Sequence, residues 1–561
     1  MPAIFGANAG DSRKNSIRHV LKSIAGGSMR RHGGRQTRIS VARPLLSIVC
    51  TVGALAGQTA PPALPWTELQ PGAYAVGYRV LYEFDKSRTW RATRRYAGPF
   101  SPDENGRPVR VSLWYPAGAI EGLRKRKILD YVRPEGQASF ADANRALEAR
   151  DRRVLAEMVP DKSFEMLLNT GMQAHIGAPF ANGRFPVLLY SGGVNSYTLS
   201  NAILAELLAS HGYIVVAAPP LGPSDDETEQ RYSPVELQAA ARDLEFAWGV
   251  VRSLPNVDGS KLGAFGHSLG GTVALLVSLR NANVSAMAGF DGTYGFVDGR
   301  ESITKTADYA PKSMRAAVLD IHRAIAGLDP TVINSLSHAD RLVITLPRTL
   351  HGDFTTFVVI ARAFNLPLPE HVPPGYTHET GYAAYRASAS LVLAFFDQRL
   401  KREEDTGKFL HASLDSVPGA TFKQLNALPA PPSAADMRRV IENGGFDAAA
   451  QIVERFQREQ PGEQALDAPG LNSLGYQLIA AHNYKEAIDV LRLVVLANPE
   501  SEDAQDSLGD AYSASGDVAG AIDVFTRGIT LAQANQSLDA QRKNDFVQME
   551  QDKIRQLRSR P

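Results

Sequence analysis

The apolar positions of this chain keep different rhythms in different stretches. Between residues 186 and 346, short unbroken apolar runs alternate with stretches in which apolar residues recur every three or four positions. Residues 186–190 (PVLLY), 213–218 (YIVVAA), 261–265, 285–290 and 341–346 read as strands, and residues 199–211, 234–253 and 271–279 as helices. Strands that are apolar throughout are buried on both faces, so the alternation predicts a mostly parallel, doubly wound sheet with helices on either side. Upstream, residues 74–84 and 109–115 read as two more strands, joined by a charged connection that ends in Glu104-Asn105-Gly106. Residues 138–158 read as a helix with a narrow apolar stripe, which suits a cap over a site and a plain surface helix equally. A helix over residues 382–400 is expected to close the domain.

After residue 411 the pattern changes. Residues 412–434 hold Pro418, Pro429, Pro431 and Pro432 among small residues, and 412–429 read as a linker. Beyond it the periodicity is helical, and it repeats. Leu474-Gly475 and Leu508-Gly509 lie 34 residues apart, as do Ala487 and Ala521, Leu491 and Phe525, and Leu478 and Tyr512. A less regular earlier copy runs through Ala449, Val453 and Pro461, the last matching Pro499. Units at roughly 430–463, 468–501 and 502–535, with residues 537–558 as a polar capping helix, resemble tetratricopeptide repeats in all-α residues 430–561. Three such units are about the minimum for a stable stack, whose groove suits a protein or peptide partner.

Composition excludes several classes. With 44% apolar and 21% charged residues the chain is neither disordered nor fibrous. The net charge of +1 offers no bulk basic surface for nucleic acid. That balance hides an uneven start, because residues 1–43 carry nine Lys/Arg and one acid. Setting aside these nine of 60 basic and one of 59 acidic residues leaves 51 against 58, a net of −7. The basic stretch runs into an uncharged segment, residues 44–56 (PLLSIVCTVGALA), which ends in Ala54-Leu55-Ala56 as an A-x-A site. Thirteen residues fit a signal-peptide core and are too few to span a bilayer. Residues 1–56 are therefore expected to be an export leader, with Met29 a more natural start than Met1, and the mature protein to be secreted or periplasmic without a transmembrane segment. The single cysteine, Cys50, falls inside the leader, so neither a disulfide framework nor a Cys-rich zinc site is expected.

The chemistry concentrates in Gly266-His267-Ser268-Leu269-Gly270-Gly271, a G-x-S-x-G where the strand at 261–265 hands over to the helix at 271–279. A strand, a tight turn and a helix with small flanking residues expose a serine hydroxyl above the sheet, close to a helix N-terminus. That hydroxyl needs a base to take its proton and an acid to orient the base, in the chain order Ser, Asp/Glu, His. Asp291 follows the strand at 285–290 directly, whereas Asp298 and Asp320 lack that position. Among His322, His338, His351, His371 and His378, the first two are expected in helical or turn stretches. His351 lies a short loop past strand 341–346, with His371 or His378 as the fallback. The oxyanion hole requires two backbone N–H groups, one from Leu269 and one from the loop Ser191-Gly192-Gly193-Val194, where Val194 is the candidate.

PVLLYSGGVN, GHSLGG, the FDG after the next strand and LHGDFTTF together resemble the α/β-hydrolase superfamily, and more narrowly its platelet-activating-factor acetylhydrolase and dienelactone-hydrolase-like branch. The resemblance covers roughly 70–400. It implies an α/β-hydrolase domain over residues 57–411, with Ser268, Asp291 and His351 as triad and Val194 and Leu269 as oxyanion donors. Two positions depart from the branch. Gly192 stands where the acetylhydrolases usually have histidine, and the mature chain lacks the cysteine nucleophile of dienelactone hydrolases. The expected activity is a serine esterase or lipase acting on a small-molecule or lipid ester without cofactor or metal. A peptidase, thioesterase or acyltransferase on the same triad, or an interaction module with an inactive hydrolase fold, are the alternatives.

Overall fold

The computed structural model describes residues 66–88, 106–194, 196, 199–219, 221–222, 232–402, 414–463 and 465–559. The expected leader lies outside them. The chain divides into two compact units between Leu428 and Pro429.

The first unit is built on one sheet of eleven strands in the order β11-β10-β9-β8-β7-β5-β6-β2-β1-β4-β3. Its centre comprises β5 (Phe185–Ser191), β6 (Ile214–Ala217), β7 (Val257–His267), β8 (Val284–Phe290), β9 (Ala317–Arg323) and β10 (Arg341–Leu346), all parallel. β1 (Ala75–Asp85) and β2 (Arg107–Ala117) form an eleven-pair antiparallel ladder, and β2 joins β6. β3 (Lys125–Lys127) and β4 (Gly171–His175) finish that side.

Strand β5 shows why its sequence is apolar throughout. All seven residues are buried; Leu188 and Tyr190 enter one core while Val187 and Leu189 enter the other. The first core is covered by α2 (Ala202–Ser210), α5 (Thr356–Ala363) and α6 (His378–Phe396). The second is covered by α3 (Pro234–Val251) and α4 (Leu269–Arg280). Helix α1 (Ala141–Met158) meets the β1 side of the sheet, where Phe140 packs on Tyr82 and Phe84.

The structure departs from the sequence expectation at two places here. β9 was not foreseen, because Asp320 and His322 interrupt its apolar run; His322, expected in a helical or turn stretch, lies on this strand. The supposed linker 412–429 holds β11 (Thr421–Leu425), which pairs antiparallel with β10, so the first unit continues to Leu428 rather than ending at 411. Four of its five residues are exposed. An edge strand of this kind is held by ladder hydrogen bonds and leaves no apolar signature.

The second unit is all helical. α7 (Ala434–Glu459) breaks at Gly445, where φ is 72°, and so is itself a helical pair. α8 (Ala468–Ala480) and α9 (Tyr484–Ala497) are followed, 34 residues later, by α10 (Glu502–Ser515) and α11 (Val518–Ala534), and α12 (Ala540–Arg558) closes the unit. The period is carried by packing. A Cβ on Gly475 would lie 2.6 Å from Leu491, and one on Gly509, 34 positions on, would strike Phe525 in the same way.

Candidate active site

Ser268 stands between the end of β7 and the start of α4, with φ 58° and ψ −124°. A non-glycine residue is costly there and persists only where the surroundings over-determine it. They do. Ser268 N donates to Phe290 O at 2.9 Å, and its carbonyl accepts from Gly271 N at 3.0 Å and Thr293 N at 3.1 Å. A Cβ on Gly266 would stand on the Gly270 carbonyl oxygen, and one on Gly270 would stand on the Ser191 carbonyl oxygen. Both glycines are thus demanded by backbone meeting backbone.

Asp291 follows β8 immediately and is also held at positive φ, 44°, its N–H donating to Ile321 O at 2.7 Å. Its carboxylate is wholly buried, and Oδ2 accepts from His351 Nδ1 at 2.5 Å. Burial alone would raise this carboxyl. The His351 hydrogen bond, with the charges of His351 and Arg323, outweighs burial and holds the group below the usual carboxylate range.

His351 opens a one-turn 3-10 helix, His351–Phe354, just beyond β10. Asp291 occupies its Nδ1, so Nε2 is the ring nitrogen left for a nucleophile. Burial raises the Tyr232 phenol at the entry to α3, and the neighbouring Ser268 hydroxyl opposes that rise. Three features fix the turn. His267 Nε2 donates to the His351 carbonyl at 2.9 Å, and burial, reinforced by His351, pushes His267 down to about 3, so it stays neutral. Asp353 Oδ2 accepts from Leu350 N at 2.7 Å, and Tyr376 OH donates to its Oδ1 at 2.8 Å. Burial lifts the Asp353 carboxyl to about 7. Thr355 caps α5 through Phe357 N.

Of the two expected oxyanion donors, Leu269 follows Ser268 directly and Val194 follows a glycine that passes close to it. Leu269 is the first residue of α4, where an N–H has no partner within the helix. The loop leading to Val194 crosses the nucleophile so closely that a Cβ on Gly193 would lie 3.0 Å from Ser268 Cβ.

The other candidates go elsewhere. Asp320 accepts from Tyr294 OH at 2.6 Å, and His322 Nδ1 bonds the Arg323 carbonyl. His338 Nδ1 bonds Leu428 O, and His378 Nε2 bonds Leu366 O at 2.7 Å. Asp298 lies in the first turn of a helix, Val297–Thr304, and His371 outside any element. Sequence reasoning missed three contributors: His267, Arg323 and Asp353. His267, a variable residue of the G-x-S-x-G, and Asp353, inside LHGDFTTF, had a local signal; Arg323 had none.

The strand order, the elbow after β7 and the histidine loop after β10 make the first unit an α/β-hydrolase fold, followed by a helical repeat unit. A protein-family model described as Chlorophyllase matches residues 161–339, a span that contains Ser268 and Asp291 and stops short of His351. Among solved structures, a ferulic acid esterase from Streptomyces cinnamoneus matches at 20% identity with a TM-score of 0.46, over 65% of this chain and 99% of that chain. No curated protein matches the chain.

Proposed function

We propose that this protein is a serine hydrolase of carboxylic esters that works through an acyl-enzyme on Ser268. The observation that carries the reading is the 2.5 Å Asp291–His351 pair beside a serine held at positive φ. The Chlorophyllase family match supports ester hydrolysis. Ser268 Oγ attacks the ester carbonyl while His351 Nε2 accepts its proton, and Asp291 orients the ring and stabilises the imidazolium. The oxyanion gathers hydrogen bonds from Leu269 N–H and Val194 N–H. Collapse breaks the acyl–oxygen bond, and the alcohol leaves with the proton from His351. Water, deprotonated by His351, then attacks the acyl carbonyl, releasing the acid and restoring Ser268. None of these steps calls on a metal or an organic cofactor.

The substrate is a small-molecule or lipid ester. Export rests on residues 1–56 and is tested by finding the mature N-terminus at Gly57. The 34-residue packing period supports tetratricopeptide-like repeats that take a protein or peptide partner.

Intact-mass measurement after fluorophosphonate treatment tests the nucleophile. A single adduct is expected on the wild type and none on Ser268→Ala. Hydrolysis of short-chain aryl esters should fall by roughly 10⁴-fold or more in that variant. An adduct that survives the substitution, or folded wild-type protein that takes none, sinks the reading.

A further inference from the structure

Asp291 is fully buried, yet its hydrogen-bond partner must be a neutral imidazole while Ser268 waits for substrate. A buried carboxylate beside a neutral ring stays ionised only if other donors or a positive charge answer it. Among the described residues one backbone donor reaches the carboxylate, Arg323 N, and it lies 3.4 Å from Oδ1. The charge comes from the same residue. Arg323 ends β9, its side chain is 12% exposed, and its Nε lies 2.9 Å from Oδ2, the oxygen that also accepts His351 Nδ1. Its guanidinium carbon sits 6.0 Å from the centre of the Phe296 ring, a cation–π contact that steadies it.

We propose that Arg323 is the positioning residue of the triad, the counter-charge that keeps Asp291 ionised and turned toward His351. This rests on the triad reading above. Among the described residues, the neighbouring elements offer no substitute. From β7, His267 is neutral, and from the histidine turn comes the acid Asp353. From β9 itself comes Asp320, a buried acid bound to Tyr294 OH, whose charge works against Asp291.

The rate at which fluorophosphonate labels Ser268, followed from pH 5 to pH 9, tests this without a known substrate. In Arg323→Met the Asp291 carboxyl keeps its proton to higher pH. The half-maximal point on the acid side should therefore rise by about one unit or more, with the rate recovering as the solution becomes alkaline. Arg323→Lys retains the charge and should hold the wild-type limb. Arg323→Gln removes the charge while leaving a polar side chain, serves if the Met variant does not fold, and should show the same upward move. A labelled wild type whose limb is unmoved in these uncharged variants overturns the role of Arg323 alone. So does an equal loss at every pH, which is what a merely structural part would produce. A folded wild type that is not labelled at all removes the triad reading and this inference together.

Discussion

Two glycines, Gly270 in the elbow and Gly509 in the helical unit, look alike in sequence and answer to different obstacles. Behind Gly270 stands the carbonyl of Ser191, on the last residue of a central strand. Behind Gly509 stands the ring of Phe525. A backbone carbonyl locked into a parallel ladder cannot yield, whereas a side chain can turn or slide. The elbow is therefore brittle and the repeat forgiving, although each glycine lies at a close approach. Buried carboxyls differ in a parallel way. Asp353, lifted to about 7, is met by two donors in the histidine turn. Glu550, lifted to about 8, sits beside Asp506, Asp510 and Lys553, a cluster of charges that can redistribute a proton.

The largest expected effect comes from forcing a Cβ into the elbow. Gly270→Ala should destabilise the first unit by more than about 4 kcal/mol, because no rotamer relieves the contact, and should abolish fluorophosphonate labelling. Denaturant unfolding monitored with the labelling assay checks it. A folded, labelled Gly270→Ala would break the contrast, since it would show that the β5 carbonyl can move.

Next is the pH dependence of stability from Asp353. Its folded carboxyl titrates at about 7, above its unfolded value near 4, so the folded state holds the proton longer. Its contribution is therefore most favourable below about pH 4, declines as pH rises from there to 7, and is flat above. Asp353→Asn should remove this slope, on the order of a few kcal/mol between those limits, in chemical unfolding at a series of pH values. An unchanged slope would mean that the group is solvated in the folded protein.

The smallest is Gly509→Ala. Overpacking against Phe525 is partly offset by the better helix propensity of alanine, leaving a loss of about 1–2 kcal/mol in the helical unit and unaltered labelling of Ser268. A loss as large as that of Gly270→Ala would erase the distinction between side-chain and backbone obstacles.

Much of this was legible beforehand because it is local. The elbow is written in six consecutive residues, Gly266 to Gly271, whose spacing answers to a single turn of backbone. Asp291 and His351 each follow a strand whose apolar run is visible, and the 34-residue period reports one packing contact made twice. β11 was not legible, because a mostly exposed edge strand is specified by the β10 groups it pairs with and not by its own side chains. Nor was Arg323, since Asp320 and His322 disguise the strand that carries it.

By itself, then, the sequence determined the alternation that builds the sheet, the nucleophile, its expected partners in chain order and the helical repeat. The tertiary structure decided which charges surround them. Arg323 meets Asp291 across 32 positions and His267 meets the His351 carbonyl across 84, through strand neighbours in a sheet whose order is not the order of the chain. Periodicity records how a residue sits on its own element; Coulomb and hydrogen-bond terms depend on distances of a few ångströms between elements, and these exist only once the sheet has formed.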